Sequence, residues 1–170
     1  MNDNFYDLSL ADKTKISTFG LTVLRDSLLP QLTDGDNNIL YWAGKKLARQ
    51  FFVANEADLP LFFEQAGWGL LTHKKNKGNQ QIFTLSGPII ATRLKLSKEA
   101  DFKLECGFLA ETIQNQTKVL SEAFLDNANE RKGVVTLIVQ FDTKDYVNPD
   151  LYKQLTPLEI LHADTISEEN

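Results

Sequence analysis

The sequence predicts an α+β fold in which one helix crosses a sheet made from two strand pairs. Three observations carry this. Phe102, Cys106, Leu109 and Ile113 recur at i, i+4, i+7 and i+11 within Asp101–Gln114, which is the spacing of one helix face. Segments on both sides of that stretch alternate apolar and polar residues with the period of a strand. Turn-forming clusters, Asn76-Lys-Gly-Asn79 and Asn127–Gly133, join each pair as a hairpin.

In chain order, residues 1–15 are polar and expected to be loosely held, as are residues 167–170. Phe19, Leu21, Val23, Leu24, Leu28 and Leu29 then follow a helical pattern that Ser17 can cap and Pro30 should end. The pattern is apolar on more than one side, which fits a buried helix or a subunit contact. The turn cluster Thr33–Asn38 precedes a helix with Ile39, Ala43, Leu47 and Phe51 as its apolar stripe. Lys45, Lys46, Arg49 and Gln50 read as its solvated face. Gly44 costs this helix about 1 kcal/mol relative to Ala and so predicts a close helix contact.

Asp58 can cap a short helix that buries Leu59, Phe62, Phe63 and Ala66 and stops at Gly67. The first hairpin spans Trp68–Lys75 and Gln80–Ser86. Ile89–Leu96 reads as a short helix, with Ser86 as cap and Pro88 in its first turn. Asp101 caps the central helix, whose small residues Cys106, Gly107 and Ala110 allow a neighbouring layer to come close. The second hairpin uses the alternating runs Val119–Leu125 and Val134–Phe141. The tail from Thr143 onward is expected to wrap the domain.

A chain of 170 residues with 42% hydrophobic content suits one globular domain, with a core expected over 17–142. A net charge of −5 argues against nucleic acid and anionic membranes as partners, since both bind through excess Lys and Arg. One cysteine cannot form an internal disulfide, and the acidic N-terminus shows no secretory signal, so a cytoplasmic location is expected. No apolar run approaches the ~20 residues of a spanning helix, so no membrane insertion is expected.

Motifs for chemistry are sparse. His73 and His162 are isolated in sequence and Cys106 lacks a partner at metal-ligand spacing, so no metal or cofactor is expected. No Gly-rich phosphate loop is present. Cys106 is the sole candidate nucleophile, and its place on the apolar stripe reads as structural. Glu105 and Glu111 read as solvated surface carboxylates. Phe51, Phe52, Phe62, Phe63 and Phe83 suit a packed core and an apolar pocket equally.

Four motifs, Ile39-Leu-Tyr-Trp-Ala-Gly-Lys-Lys-Leu-Ala-Arg49, Phe63-Glu-Gln-Ala-Gly-Trp-Gly69, Leu85-Ser-Gly87 and Leu104-Glu-Cys-Gly-Phe-Leu-Ala-Glu111, resemble the YslB-like family of Gram-positive bacteria. More distantly, the Gly-Phe-Leu-Ala helix followed by a strand pair is similar to vinyl-reductase-type hydrocarbon-binding domains and to palmitoyl-binding TRAPP subunits. The resemblance implies a four-stranded antiparallel sheet with four or five helices packed on it, often a homodimer and often an apolar tunnel. The cysteine that TRAPP subunits acylate has no counterpart in Val53–Ala57. The zinc-holding cysteines of vinyl-reductase-type domains have none in Leu120–Gly133.

Two functions follow as expectations, and neither is catalysis. One is a module binding a small apolar molecule, with Leu47, Phe51, Phe62, Phe83, Cys106, Leu109 and Ile113 around it. The other is an interaction protein or structural homodimer with a packed core, in contact through Leu21, Leu24 and Leu28.

Overall fold

The computed structural model describes residues 5–11, 17–36, 38–148, 150 and 154–161. Its element order is α1 (Phe5–Ala11), α2 (Thr18–Thr22), a π-helical segment (Val23–Leu28), α3 (Leu29–Leu32), α4 (Asn38–Gln50), α5 (Leu59–Gln65), β1 (Leu70–Lys77), β2 (Gln80–Ser86), α6 (Pro88–Leu96), α7 (Lys103–Thr117), β3 (Val119–Asn129) and β4 (Val134–Tyr146). The four strands form one antiparallel sheet in the order β1-β2-β4-β3, so two hairpins meet through the β2–β4 pair. Phe83 faces Leu137 and Leu85 faces Val135 across that central pair. With Leu71, Ala123 and Val139 they form the buried face of the sheet.

The central helix α7 lies on that face, and every residue from Leu104 to Asn115 is buried. One apolar stripe cannot explain this, because the helix is covered on both sides. The sheet takes one side and α4 takes the other. Gly44 and Gly107 are the close-approach positions expected of them. A Cβ on Gly107 would stand 1.9 Å from the Tyr41 carbonyl oxygen, and one on Gly44 would stand 2.1 Å from that of Leu104. The two backbones therefore touch, and this contact turns α4 by about one residue from its expected orientation. Leu40, Gly44, Lys45 and Ala48 are buried, whereas Ile39 and Trp42 point outward.

Several local expectations need correction. The helix of residues 18–32 runs past Pro30, because the π-turn before it changes the hydrogen-bond frame: Leu29 N–H donates to Leu24 O, five residues back. Ser17 caps its start, accepting from Gly20 N at 3.3 Å. Asp58 stands at the N-cap of α5, but its side chain does not bond the helix N–H groups. Gly87, not Ser86, precedes α6. Asp101 does serve α7, accepting from Lys103 N at 2.7 Å. The polar stretch Asn127–Gly133 is mostly not loop: β3 continues to Asn129, and a 3₁₀ turn, Glu130–Lys132, makes the reversal. Within the expected loose segment 1–15, residues 5–11 form helix α1. The remainder of that segment, His162 and residues 167–170 lie outside the described residues. Residues 143–146, expected to begin the tail, continue β4 instead, and the described part beyond packs on the domain, with Leu158 N–H donating to Phe52 O at 2.8 Å and Ile160 buried.

Candidate ligand cavity

Helix α5 ends in a Schellman motif that positions the first wall of the site. Gly67 adopts φ +68°, Gly67 N–H donates to Glu64 O at 3.0 Å, and Trp68 N–H donates to Phe63 O at 2.9 Å. This turn brings the Trp68 indole back over its own helix. The ring packs edge-on against Phe62, Phe63 and Phe108, with centroids 5.9, 5.3 and 5.1 Å away. Phe62 stacks on Phe108 at 4.6 Å, which anchors α5 to α7.

Helix α4 supplies Leu47 and Phe51, and α1 closes the space with Phe5, Tyr6, Ser9 and Leu10. Together with Phe62, Gln65, Ala66 and Trp68 they line a half-open cavity of about 190 Å³. None of these residues carries a formal charge at neutral pH. The polar edge is a hydrogen-bonded triangle. Tyr6 Oη donates to Gln65 Oε1 at 2.6 Å and accepts from Leu161 N at 3.3 Å, while Gln65 Nε2 donates to Leu161 O at 2.6 Å. Burial pushes the Tyr6 phenol up, so the hydroxyl keeps the proton it donates.

Of the ligand residues expected from sequence, Leu47, Phe51 and Phe62 meet at this cavity. Phe83, Cys106, Leu109 and Ile113 do not: they are buried in the core around α7 and the sheet. The Gly44–Gly107 contact closes the middle of the α4–α7 seam; open space lies on the α1–α5 side of α4 and, lined by Asn38, Tyr41, Lys103, Cys106 and Ala123, where the seam begins beside β3. Tyr6, Gln65 and Trp68 were missed. Tyr6 lies in a segment read as loose, and Gln65 and Trp68 lie in the Phe63–Gly69 motif, which was read only as a helix end and a strand start.

Cys106 is buried, and burial followed by the charge of Glu105 pushes its thiol well above the usual range. That environment disfavours the thiolate a nucleophile needs. Glu105 and Glu111 correct the reading of solvated carboxylates, since both are fully buried. Glu105 holds Arg25 through two contacts of 2.8 and 2.9 Å and Arg93 at 3.1 Å, and Arg93 also holds Asp26 at 2.9 Å. This network fastens the 18–32 helix to α6 and α7. Glu111 accepts from Arg49 Nε at 2.6 Å. Lys45, expected on the solvated face, is buried and pairs with Glu122 at 3.0 Å. Glu122 also receives the Tyr41 hydroxyl. His73 is not isolated in space: its Nδ1 lies 2.8 Å from Glu56. Among the described residues no cluster of His, Cys, Asp or Glu could hold a metal, and no helix is long and apolar enough to cross a membrane.

The expected contact residues on the 18–32 helix divide. Leu24 and Leu28 are exposed, whereas Leu21 is half-buried beside Gly67 of its own chain.

Helices packed on a four-stranded antiparallel sheet define an α+β fold that is also found among solved structures. A vinyl-4-reductase family protein from Methanocaldococcus jannaschii superposes with a TM-score of 0.60 at 19% identity, covering 84% of this chain and 97% of that one. A trafficking protein particle complex subunit 3 from Naegleria fowleri, covalently bound to palmitic acid, gives a TM-score of 0.49 at 12% identity, covering 77% and 97% of the two chains. The chain belongs to the family described as protein of unknown function (DUF2507), whose model matches residues 18–140. It is 40% identical over 134 residues to the uncharacterized protein YslB of Bacillus subtilis, which spans 78% of this chain and 90% of YslB.

Proposed function

We propose that this protein is a non-catalytic module that binds one small apolar molecule in the cavity beneath α1. The observation that carries the reading is the cavity's chemistry: about 190 Å³ of space walled by apolar and aromatic side chains with a neutral polar edge. An apolar cavity of about 150 Å³ stays dry and takes up benzene, so a space of this kind is suited to an apolar guest. The inert setting of Cys106 favours binding over catalysis. Native mass spectrometry tests it. The expected result is a species heavier than the bare 19.2 kDa chain that loses the extra mass on denaturation. Only bare chain, with no uptake of an added apolar probe, would reject the reading.

A second reading, pairing of two copies, is favoured by one patch. Phe19, Leu24, Leu28 and Leu32 on the 18–32 helix are 76, 54, 41 and 70% exposed. Soluble monomers rarely leave contiguous apolar surface uncovered, and a two-fold pair would bury this patch twice.

A further inference from the structure

The polar edge of the cavity belongs to three distant parts of the chain. Tyr6 comes from α1, Gln65 from α5 and Leu161 from the C-terminal segment, and each corner of the triangle bonds the other two. Helix α1 has seven residues. A helix below about 12 residues is marginal in water by itself, so α1 depends on what it packs against. It contributes Phe5, Tyr6, Ser9 and Leu10 to the cavity and therefore forms its cover. The C-terminal segment is held by the bridge between Phe52 and Pro157, by Leu158 N–H on Phe52 O, and by Leu161 at the triangle. Phe52 follows Phe51, which lines the cavity and meets Phe5 at 6.1 Å.

The volume beneath α1 limits the guest it can cover. If about 150 Å³ takes benzene, about 190 Å³ takes about seven or eight non-hydrogen atoms. A sixteen-carbon chain needs roughly twice that, so it can lie wholly beneath α1 only if α1 moves. Moving α1 withdraws Tyr6 from both Gln65 and Leu161.

We propose that α1 and the C-terminal segment form a single latch whose state reports the size of the guest. This rests on the reading of the protein as an apolar-ligand module. A guest that fits beneath α1 tightens the latch. A longer one lifts α1 and releases residues 158–161 with it.

Hydrogen-exchange mass spectrometry of the full chain tests this with 1-hexanol and palmitate as probes. With 1-hexanol, amides of residues 5–11 and 158–161 should gain protection together. With palmitate both should lose it together, while the sheet stays protected. Without any probe, Tyr6→Phe should release both segments by about thirtyfold, the effect of losing two hydrogen bonds near 1 kcal/mol each. Gln65→Ala should do the same from the other corner. If either variant loosens α1 and leaves residues 158–161 unchanged, the latch is overturned even where both probes bind. If both probes bind and protect both segments alike, size reporting is overturned. If neither probe alters any amide or the Trp68 fluorescence, apolar binding itself fails, and the probe-free variants still decide whether the two segments move as one.

Discussion

Replacing Gly107 with alanine adds one methyl group at the tightest point of the α4–α7 contact. That methyl carbon would lie 1.9 Å from the Tyr41 carbonyl oxygen and 2.8 Å from its carbonyl carbon. An ordinary carbon–oxygen contact is about 3.3 Å, so the backbones must separate by about 1.4 Å. No flexible side chain can give way, since the atoms met are backbone. Separation also pulls Lys45 and Arg49 of α4 away from Glu122 and Glu111. Overpacking costs about 1–3 kcal/mol where side chains adjust, and a clash between backbones belongs at or beyond the upper end. Alanine returns about 1 kcal/mol of helix propensity. The net loss is then about 2–3 kcal/mol, or on the order of 5–10 °C in melting temperature for a chain of this size. Urea unfolding followed by tryptophan fluorescence and a thermal melt both measure it. Propensity alone predicts the opposite sign, so an unchanged or raised melting temperature would refute the packing argument.

Other consequences follow from the buried charges and the exposed helix. Glu105→Gln leaves Arg25 and Arg93 without their shared counter-charge and should cost about 3 kcal/mol in urea unfolding; a loss below about 0.5 kcal/mol would mean the network is solvated. Iodoacetamide should modify native Cys106 at least about a hundredfold more slowly than the unfolded chain, and comparable rates would show an accessible thiolate. The Cys106 thiol and, through burial and the Glu122 contact, the Tyr41 phenol are both raised in the folded state. The unfolded chain therefore gives up these protons first. Their contribution is intact below the ordinary thiol value of about 8.5 and declines as pH rises beyond it. The urea midpoint should fall between pH 7 and pH 10, and a rise would reverse the sign of the account. Leu24→Glu should leave the fold intact and abolish any dimer seen by sedimentation. A wild type that sediments as a monomer at tens of micromolar removes the pairing reading.

The elements that carry their own periodicity were legible in the sequence. The paired strands and the run Phe102–Ile113 follow local side-chain patterns that water imposes on any sheet or helix with a core face. Gly44 and Gly107 were legible as well, because a glycine inside a helix needs a reason. Features that depend on distant partners were not. Glu105 and Lys45 look like surface residues until Arg25, Arg93 and Glu122 meet them across the fold. The rotation of α4 was hidden because the small residues Gly44 and Ala48 face inward while bulky Ile39 and Trp42 do not. Helix α1 is short, and its cavity-facing residues are paid for by tertiary contacts, not by propensity, so its segment read as loose. The cavity depends on the same contacts: Leu47, Phe51 and Phe62 line it together with Tyr6 and Trp68, whose places follow from where α1 and the Gly67 turn come to rest.

Crystals pressurised with xenon test the cavity most directly, because xenon enters apolar voids and marks them without chemical bias. The account predicts one strong site in contact with Leu47, Phe51, Phe62 and Trp68, and its loss in Ala66→Leu, which fills the space. Xenon absent from that position, or bound instead between α4 and α7, would contradict it.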